Sequence, residues 1–258
     1  MELKYLNFKK VFKDLVLDQE IRSRWLKDKS FQWALSECFN RQCHIVIDWD
    51  KATSPIIVLY KGYRFFLQPT EYCSIFSVYQ DYSIELLKVS DKVLDLGACI
   101  GGFTLPAAGR CREVIAVEPL FPDLLQDNID LNLNQSPLEP SNITLLDCCV
   151  GPPGVDKTTI KFKSRKKLCN TIDFKGLLSQ HGPFDYIKMD IEGGEEYIEL
   201  PDLVEARVIT GEFHVNRKRR RRLLWRKWEE FFSPNYYRVS KRGSAPEIDF
   251  RFTIERRK

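Results

Sequence analysis

From residue 92 onward, short apolar runs alternate with segments of helical periodicity. The runs at 92–96, 113–118, 142–147, 184–190 and 206–212 predict strands, and the spans 103–109, 121–133, 172–180, 195–200 and 217–232 predict helices. That alternation implies a mostly parallel sheet with helices on both faces. Two further extended runs, Tyr236–Ser240 and Ile248–Ile254, are joined by a connection too short for a crossover helix, so they are expected to pair antiparallel. Upstream the pattern changes. Residues 1–43 place Leu3, Leu6, Val11, Phe12, Leu15, Trp25, Leu26, Trp33 and Leu35 at helix-like spacings. Extended runs follow at His44–Trp49, Ile56–Tyr60 and Tyr63–Leu67, the last two forming a tight hairpin around Gly62. A helix is expected over Tyr79–Leu87. The chain thus reads as an α/β protein with an N-terminal α+β extension over 1–90 and a main domain over 91–258.

The first predicted strand of the main domain ends in an acid and opens into a glycine turn: Val93-Leu94-Asp95-Leu96-Gly97-Ala98-Cys99-Ile100-Gly101-Gly102-Phe103-Thr104. Glu118 lies 23 residues beyond Asp95, at the tip of the next apolar run, with Pro119 restraining the backbone after it. A strand, a glycine turn and an acid at the next strand's end outline a site for an adenosine-containing ligand, in which Glu118 is placed to accept both ribose hydroxyls. Cys99 replaces the middle glycine of a dinucleotide fingerprint, which disfavours close approach of a pyrophosphate. A nicotinamide-dependent dehydrogenase is correspondingly weakened. The third run ends at Asp147-Cys148, where the carboxylate reads equally as a contact for an adenine amino group or as a turn residue. Asn128 and Asn132 read as structural residues of the preceding helix.

The second dense motif is Lys188-Met189-Asp190-Ile191-Glu192-Gly193-Gly194-Glu195, directly after the fourth strand. Carboxylates at the C-terminal end of a central parallel strand face the ligand crevice, and one of a group is a candidate general base. Helix N-capping explains one of these acids but not the group. Glu212 and His214 alternate onto one face at the end of the fifth strand. His214 reads either as a base or substrate contact or as a satisfied structural histidine. A metal site from Asp190, Glu192, Glu212 and His214 has no ligand-spacing signature, and no metal is expected.

Charge adds an asymmetry to this picture. Residues 203–258 hold 16 Lys and Arg against 7 Asp and Glu, a net of +9, while residues 1–202 hold 24 against 29, a net of −5. The excess centres on Arg217-Lys218-Arg219-Arg220-Arg221-Arg222, a candidate phosphate or RNA contact or simply a solvated helix face; Leu223, Leu224, Trp225 and Trp228 beyond it fit a helix packed on the sheet. The eight cysteines make no Cys-x-x-Cys pair, which argues against a zinc knuckle and for reduced, buried thiols. No apolar run approaches the roughly 20 residues of a membrane span, and the N-terminus lacks the apolar core of a signal peptide; the expectation is a cytoplasmic protein without membrane contact.

Residues 92–214 resemble the FkbM family of class I S-adenosylmethionine-dependent methyltransferases. Three blocks carry the resemblance: 93–101, Val117-Glu118-Pro119 with Asn128…Leu131-Asn132, and Ile187–Glu195; Asn170-Thr171-Ile172-Asp173 adds a weaker one. The resemblance implies a Rossmann-like sheet closed by an antiparallel hairpin, with S-adenosyl-L-methionine as cofactor. It implies that Asp95, Gly97, Gly101 and Glu118 bind that cofactor; Ala98, Phe103, Thr104, Pro119, Asp147, Cys148 and Asp190 complete the expected contact set. Asp190 and Glu192 would border the reaction centre, with His214 as a further catalytic candidate. The family often carries Asn where this chain has Cys99. Its members act mostly as O-methyltransferases of sugars or small molecules. An RNA methyltransferase using the basic 217–222 segment, or a non-catalytic cofactor- or nucleic-acid-binding module, are the alternatives.

Overall fold

The computed structural model describes residues 44–47, 56–60, 62–67, 82–133, 142–162, 165–214, 218–232, 236–242 and 250–257. The helical reading of 1–43 lies outside them. The chain divides into two compact units, Met1–Tyr79 and Gln80–Lys258.

In the first unit, β1 (His44–Ile47), β2 (Ile56–Tyr60) and β3 (Tyr63–Leu67) form an antiparallel sheet in the order β1-β2-β3. Tyr60 pairs with Tyr63 across the turn, and Gly62 has φ +86°, a left-handed conformation that only glycine adopts readily. The expected hairpin is present.

The second unit is built on seven strands. β4 (Lys92–Leu96), β5 (Glu113–Val117), β6 (Ile143–Leu146), β10 (Tyr186–Met189), β11 (Val208–Phe213), β12 (Tyr237–Arg242) and β13 (Phe250–Arg256) lie in the order β12-β13-β11-β10-β4-β5-β6. Every neighbouring pair from β6 to β11 is parallel, and β13 runs antiparallel to both β11 and β12. This is the mostly parallel, Rossmann-like sheet closed by an antiparallel pair that the sequence predicted. β4, β5, β10 and β11 read as nearly continuous apolar runs because both of their faces are covered: Val93, Leu94, Leu96, Val114 to Val117, Ile187, Met189, Val208 and Ile209 are all buried. The strand order reverses between β4 and β10, so a crevice is expected outside their carboxyl ends.

The helices are α1 (Thr104–Ala108), α2 (Pro122–Leu133), α3 (Phe174–His181) and α4 (Lys218–Phe231). Asp173 caps α3 by accepting the Gly176 N–H at 2.9 Å. α4 seats Trp225, Trp228 and the following Phe232 against Phe213 and Phe252 of the sheet, as the spacing of its aromatic residues predicted.

Three departures from the sequence reading matter. No helix covers the described part of Tyr79–Leu87: Tyr82 and Ser83 have positive φ, and only a 3-10 turn at Ile84–Leu86 follows. Long-range hydrogen bonds impose that shape. Ser83 Oγ bonds Thr253 Oγ1, and Arg207 of the β11 approach reaches both Leu86 O (2.9 Å) and Asp91 Oδ2 (2.6 Å). These residues fall within the unit Gln80–Lys258. Next, Gly194–Tyr197 and Leu200–Leu203 are 3-10 turns where a helix over 195–200 was expected; Gly193 enters the first at φ +108°. Finally, β7 (Cys149–Val150), β8 (Lys157–Phe162) and β9 (Arg165–Ile172) make a separate small sheet that the sequence reading left blank.

Candidate functional site

The predicted site residues converge at the carboxyl ends of β5, β4, β10 and β11. The loop after β4 is bound to β5 by Gly97 N–H and Ala98 N–H, which both donate to Val117 O at 2.9 and 3.1 Å. It also lies hard against β10. A Cβ on Gly97 would sit 1.9 Å from Asp190 O, and Gly97 has φ +75°, so no other residue fits. Cys99 takes φ +53°. Asn tolerates that left-handed region better than most residues, a physical reason for its frequency at this position in the resembling family. Gly101, at φ +93°, turns the chain into α1, and the fully buried Asn128 of α2 donates to Ile100 O at 2.9 Å. Asn128 is thus structural, as expected, and clamps the loop.

Asp95 is not at the crevice surface. It is fully buried; Oδ1 pairs with Lys188 Nζ at 3.0 Å and Oδ2 accepts from Thr104 Oγ1 at 2.6 Å. Lys188 also donates to Leu96 O (3.2 Å) and Gly97 O (2.6 Å) and lies 5.0 Å from the Tyr82 ring centroid. Burial works against the Lys188 charge, but Asp95 and Asp190 outweigh it and hold the ammonium above its usual range. In this structure Asp95 holds Lys188 and Thr104 holds Asp95, and Lys188 in turn holds the loop carbonyls. Phe103 is also buried, stacked on Tyr186 (5.9 Å) and edge-on to Tyr82 (6.0 Å).

Glu118 is buried and accepts three backbone N–H groups: Cys99 on Oε2 (2.6 Å), Leu120 (2.6 Å) and Phe121 (2.9 Å) on Oε1. Burial raises its pKa, and those N–H groups and Lys188 oppose the rise. A carboxylate offers about four acceptor positions, so roughly one remains. The expected acceptance of two ribose hydroxyls is reduced to one in this arrangement. Pro119 O accepts from Cys169 Sγ at 3.5 Å, joining β9 to this edge. Asp147 is exposed and pairs with Lys167 at 3.4 Å, and burial pushes the neighbouring Cys148 thiol up to about 11.

Asp190 accepts the Tyr82 hydroxyl on Oδ2 at 2.6 Å. Its Oδ1 is 3.6 Å from His214 Nδ1. The same ring nitrogen is 3.6 Å from Glu195 Oε1, and Nε2 is 3.5 Å from Glu212 Oε2. Burial alone would lower the His214 pKa. Glu195 and Glu212, with Asp190 and Glu192 behind them, reverse this and raise it to about 11. The surrounding carboxylates thus favour the protonated ring over the neutral one. Glu192 is exposed at φ +52°, on the rim beside Asp190.

Tyr82 is a residue the sequence reading passed over, and Lys188 and Glu195 stood in its second motif without a place among the expected site residues. A lysine inside the apolar run Tyr186-Ile187-Lys188-Met189 was a visible signal, since a buried cation needs a partner. Tyr82 had no such signal. Arg217 and the side chains of Lys218–Arg222 lie outside the described residues. A cavity of about 380 Å³ lined by Leu178, Pro183, Phe184, Asp202 and Ala206 sits where β10 and β11 begin, at the opposite edge, and contains none of the predicted site residues.

No family model matches the sequence, and no curated protein matches it. Among solved structures the chain is similar to a methyltransferase FkbM from Methylobacillus flagellatus: 19% identity, TM-score 0.48, covering 72% of this chain and 53% of that one. It is similar to a precorrin-6y C5,15-methyltransferase from Geobacter metallireducens, with 14% identity and TM-score 0.43 over 77% of this chain and 96% of that chain. A tRNA m1G37 methyltransferase from M. jannaschii has 17% identity and TM-score 0.43 over 81% of this chain and 58% of that chain. The chain spans about half the length of the first of these.

Proposed function

We propose that this chain is an S-adenosylmethionine-dependent methyltransferase of the FkbM type that methylates a hydroxyl of a sugar or small molecule. The observation that carries the proposal is the meeting of the Gly97–Cys99 loop, Glu118 and Asp190 outside the carboxyl ends of three adjacent parallel strands, the crevice where open α/β sheets bind ligands. The residues fit the cofactor: the loop runs close to β5 and β10, Cys99 is acceptable beside a ligand without phosphate, and Glu118 keeps one acceptor position. Gly97, Ala98, Gly101, Glu118, Pro119, Asp147 and Cys148 would hold it. The Lys188-x-Asp190-x-Glu192-Gly193-x-Glu195 pattern supports the finer family reading, because Lys188, Asp190 and Glu195 all sit at this end of β10.

When bound, the cofactor supplies an already electrophilic methyl group, so the protein has only to orient the acceptor and take its proton. Glu192 is the proton acceptor in this reading, since its carboxylate is exposed on the rim. Asp190, held by Tyr82, orients the hydroxyl. His214 lies behind Asp190, its Nδ1 3.6 Å from Asp190 Oδ1.

Calorimetry tests the first half. Binding of S-adenosylmethionine with no binding of NAD is expected, and absence of heat with S-adenosylmethionine overturns the proposal. Transfer of labelled methyl into sugars or small hydroxyl compounds is expected in the second half. Transfer only into RNA would replace the substrate class.

A further inference from the structure

Four acids, Asp190, Glu192, Glu195 and Glu212, act on His214, and Lys188 acts on Asp190. The separations within this group are unusual. His214 lies 3.5–3.6 Å from Glu212, Glu195 and Asp190, too long for well-formed hydrogen bonds. One donor atom from each of Asp190, Glu212 and His214 lies within 4.8 Å of the other two. An ion with bonds of about 2.1 Å spaces neighbouring donors roughly 3.0–3.5 Å apart, so the three donors would draw together around it. A second feature is independent of that spacing. Glu195 is fully buried, and its Oε1 has no hydrogen-bond partner although it points at His214 Nδ1, itself without one. Buried carboxylate oxygens are rarely left so.

We propose that Asp190, Glu212 and His214 form a binding site for a divalent first-row transition ion, with Glu195 as the residue that positions the imidazole. His214 would bind through Nε2, which faces Glu212, and Asp190 Oδ1, 3.6 Å from Nδ1 in this structure, would swing to that side of the ring. Its Nδ1–H would then point to Glu195 Oε1, the arrangement by which a carboxylate fixes the tautomer and orientation of a metal-bound histidine. One imidazole with carboxylates suits manganese or zinc better than magnesium or calcium. The ligands come from two parallel strand ends, β10 and β11, and two residues of one strand face, so no contiguous sequence pattern announces them. An ion there lowers the pKa of a coordinated hydroxyl or water.

The site is tested with Mn²⁺ alone, on the full chain, without cofactor or acceptor, so its failure is separate from that of the methyltransferase reading. Electron paramagnetic resonance titration is expected to show one Mn²⁺ per chain. Pulsed measurement on the wild-type complex is expected to show ¹⁴N coupling from one imidazole. Glu212→Gln should weaken binding at least tenfold, as should Glu195→Gln, while Glu199→Gln, an exposed acid paired with Lys175, should leave it unchanged. No stoichiometric Mn²⁺, or bound Mn²⁺ without ¹⁴N coupling, overturns the proposal. The wild-type spectrum decides the matter even where a variant fails to fold.

Discussion

Lys188 Nζ lies 3.0 Å from Asp95 Oδ1, and the two residues are direct partners in the register of β10 against β4. Both are almost wholly buried, so the pair holds the two central strand ends together and sets the loop carbonyls of Leu96 and Gly97. Removing one member strands the other charge, which typically costs about 3–5 kcal/mol. Lys188→Met is expected to lower unfolding stability by that amount. Lys188→Met combined with Asp95→Leu is expected to recover a large part, because neither charge then remains. Denaturant titration of the two single variants and the double variant measures the coupling.

Gly97→Ala tests the contact between the β4 loop and β10. The added methyl would meet Asp190 O at 1.9 Å, and the backbone atom cannot step aside without breaking the Asp190 N–H to Leu96 O bond of 3.0 Å. The residue also has to keep φ +75°. A loss of about 3 kcal/mol or more is expected, with loss of S-adenosylmethionine binding in any folded fraction. By contrast, Gly154→Ala, where nothing lies within 4 Å of the new methyl, should cost only about 1 kcal/mol through its φ of +76°. Equal melting temperatures for Gly97→Ala and wild type would remove the close approach from the account.

The central strands were legible in the sequence for a physical reason. β4, β5, β10 and β11 are covered on both faces and so are written as nearly continuous apolar runs. The closing pair was legible from its short connection. β8 and β9 were not, because Lys157-Thr158-Thr159-Ile160 and Lys166-Lys167-Leu168 pack neither face deeply and carry no apolar alternation. At the site, glycines and acids announced themselves by position along the chain, but their partners did not. Tyr82 to Asp190 and Glu195 to His214 are contacts across the fold, and no local pattern encodes them. The same limit hid the partner of Asp95: its position at a strand end suggested a ligand contact, and nothing local pointed to Lys188, 93 residues away.

Glu118 carries both structure and binding, and its variants should separate the two. Glu118→Ala leaves three backbone N–H groups, of Cys99, Leu120 and Phe121, without their acceptor. Each such group costs about 1–3 kcal/mol when it stays buried, so substantial destabilisation is expected. Glu118→Gln retains one carbonyl oxygen for Leu120 and Phe121 and should cost less. Both variants should lose S-adenosylmethionine affinity at least tenfold if the remaining acceptor position takes a ribose hydroxyl. Calorimetry on the folded Glu118→Gln protein is the decisive measurement, and an unchanged affinity would take Glu118 out of the cofactor site.

His214 gives the chain a pH dependence whose sign follows from its surroundings. Its pKa is raised from 6.5 to about 11, because Glu195, Glu212, Asp190 and Glu192 outweigh its burial. The folded state therefore binds the proton more tightly than the unfolded chain. The stabilisation is complete below about pH 6.5, falls by at most about 1.4 kcal/mol per pH unit above that, and is gone above about pH 11. His214→Asn removes the titrating group and leaves the four acids. The difference in unfolding free energy between wild type and His214→Asn should therefore be largest near pH 6 and shrink steadily towards pH 10. Urea titrations at unit pH intervals, with EDTA present, measure it. A difference that stays constant over that range would mean that the ring is neutral and that the acids do not hold its proton.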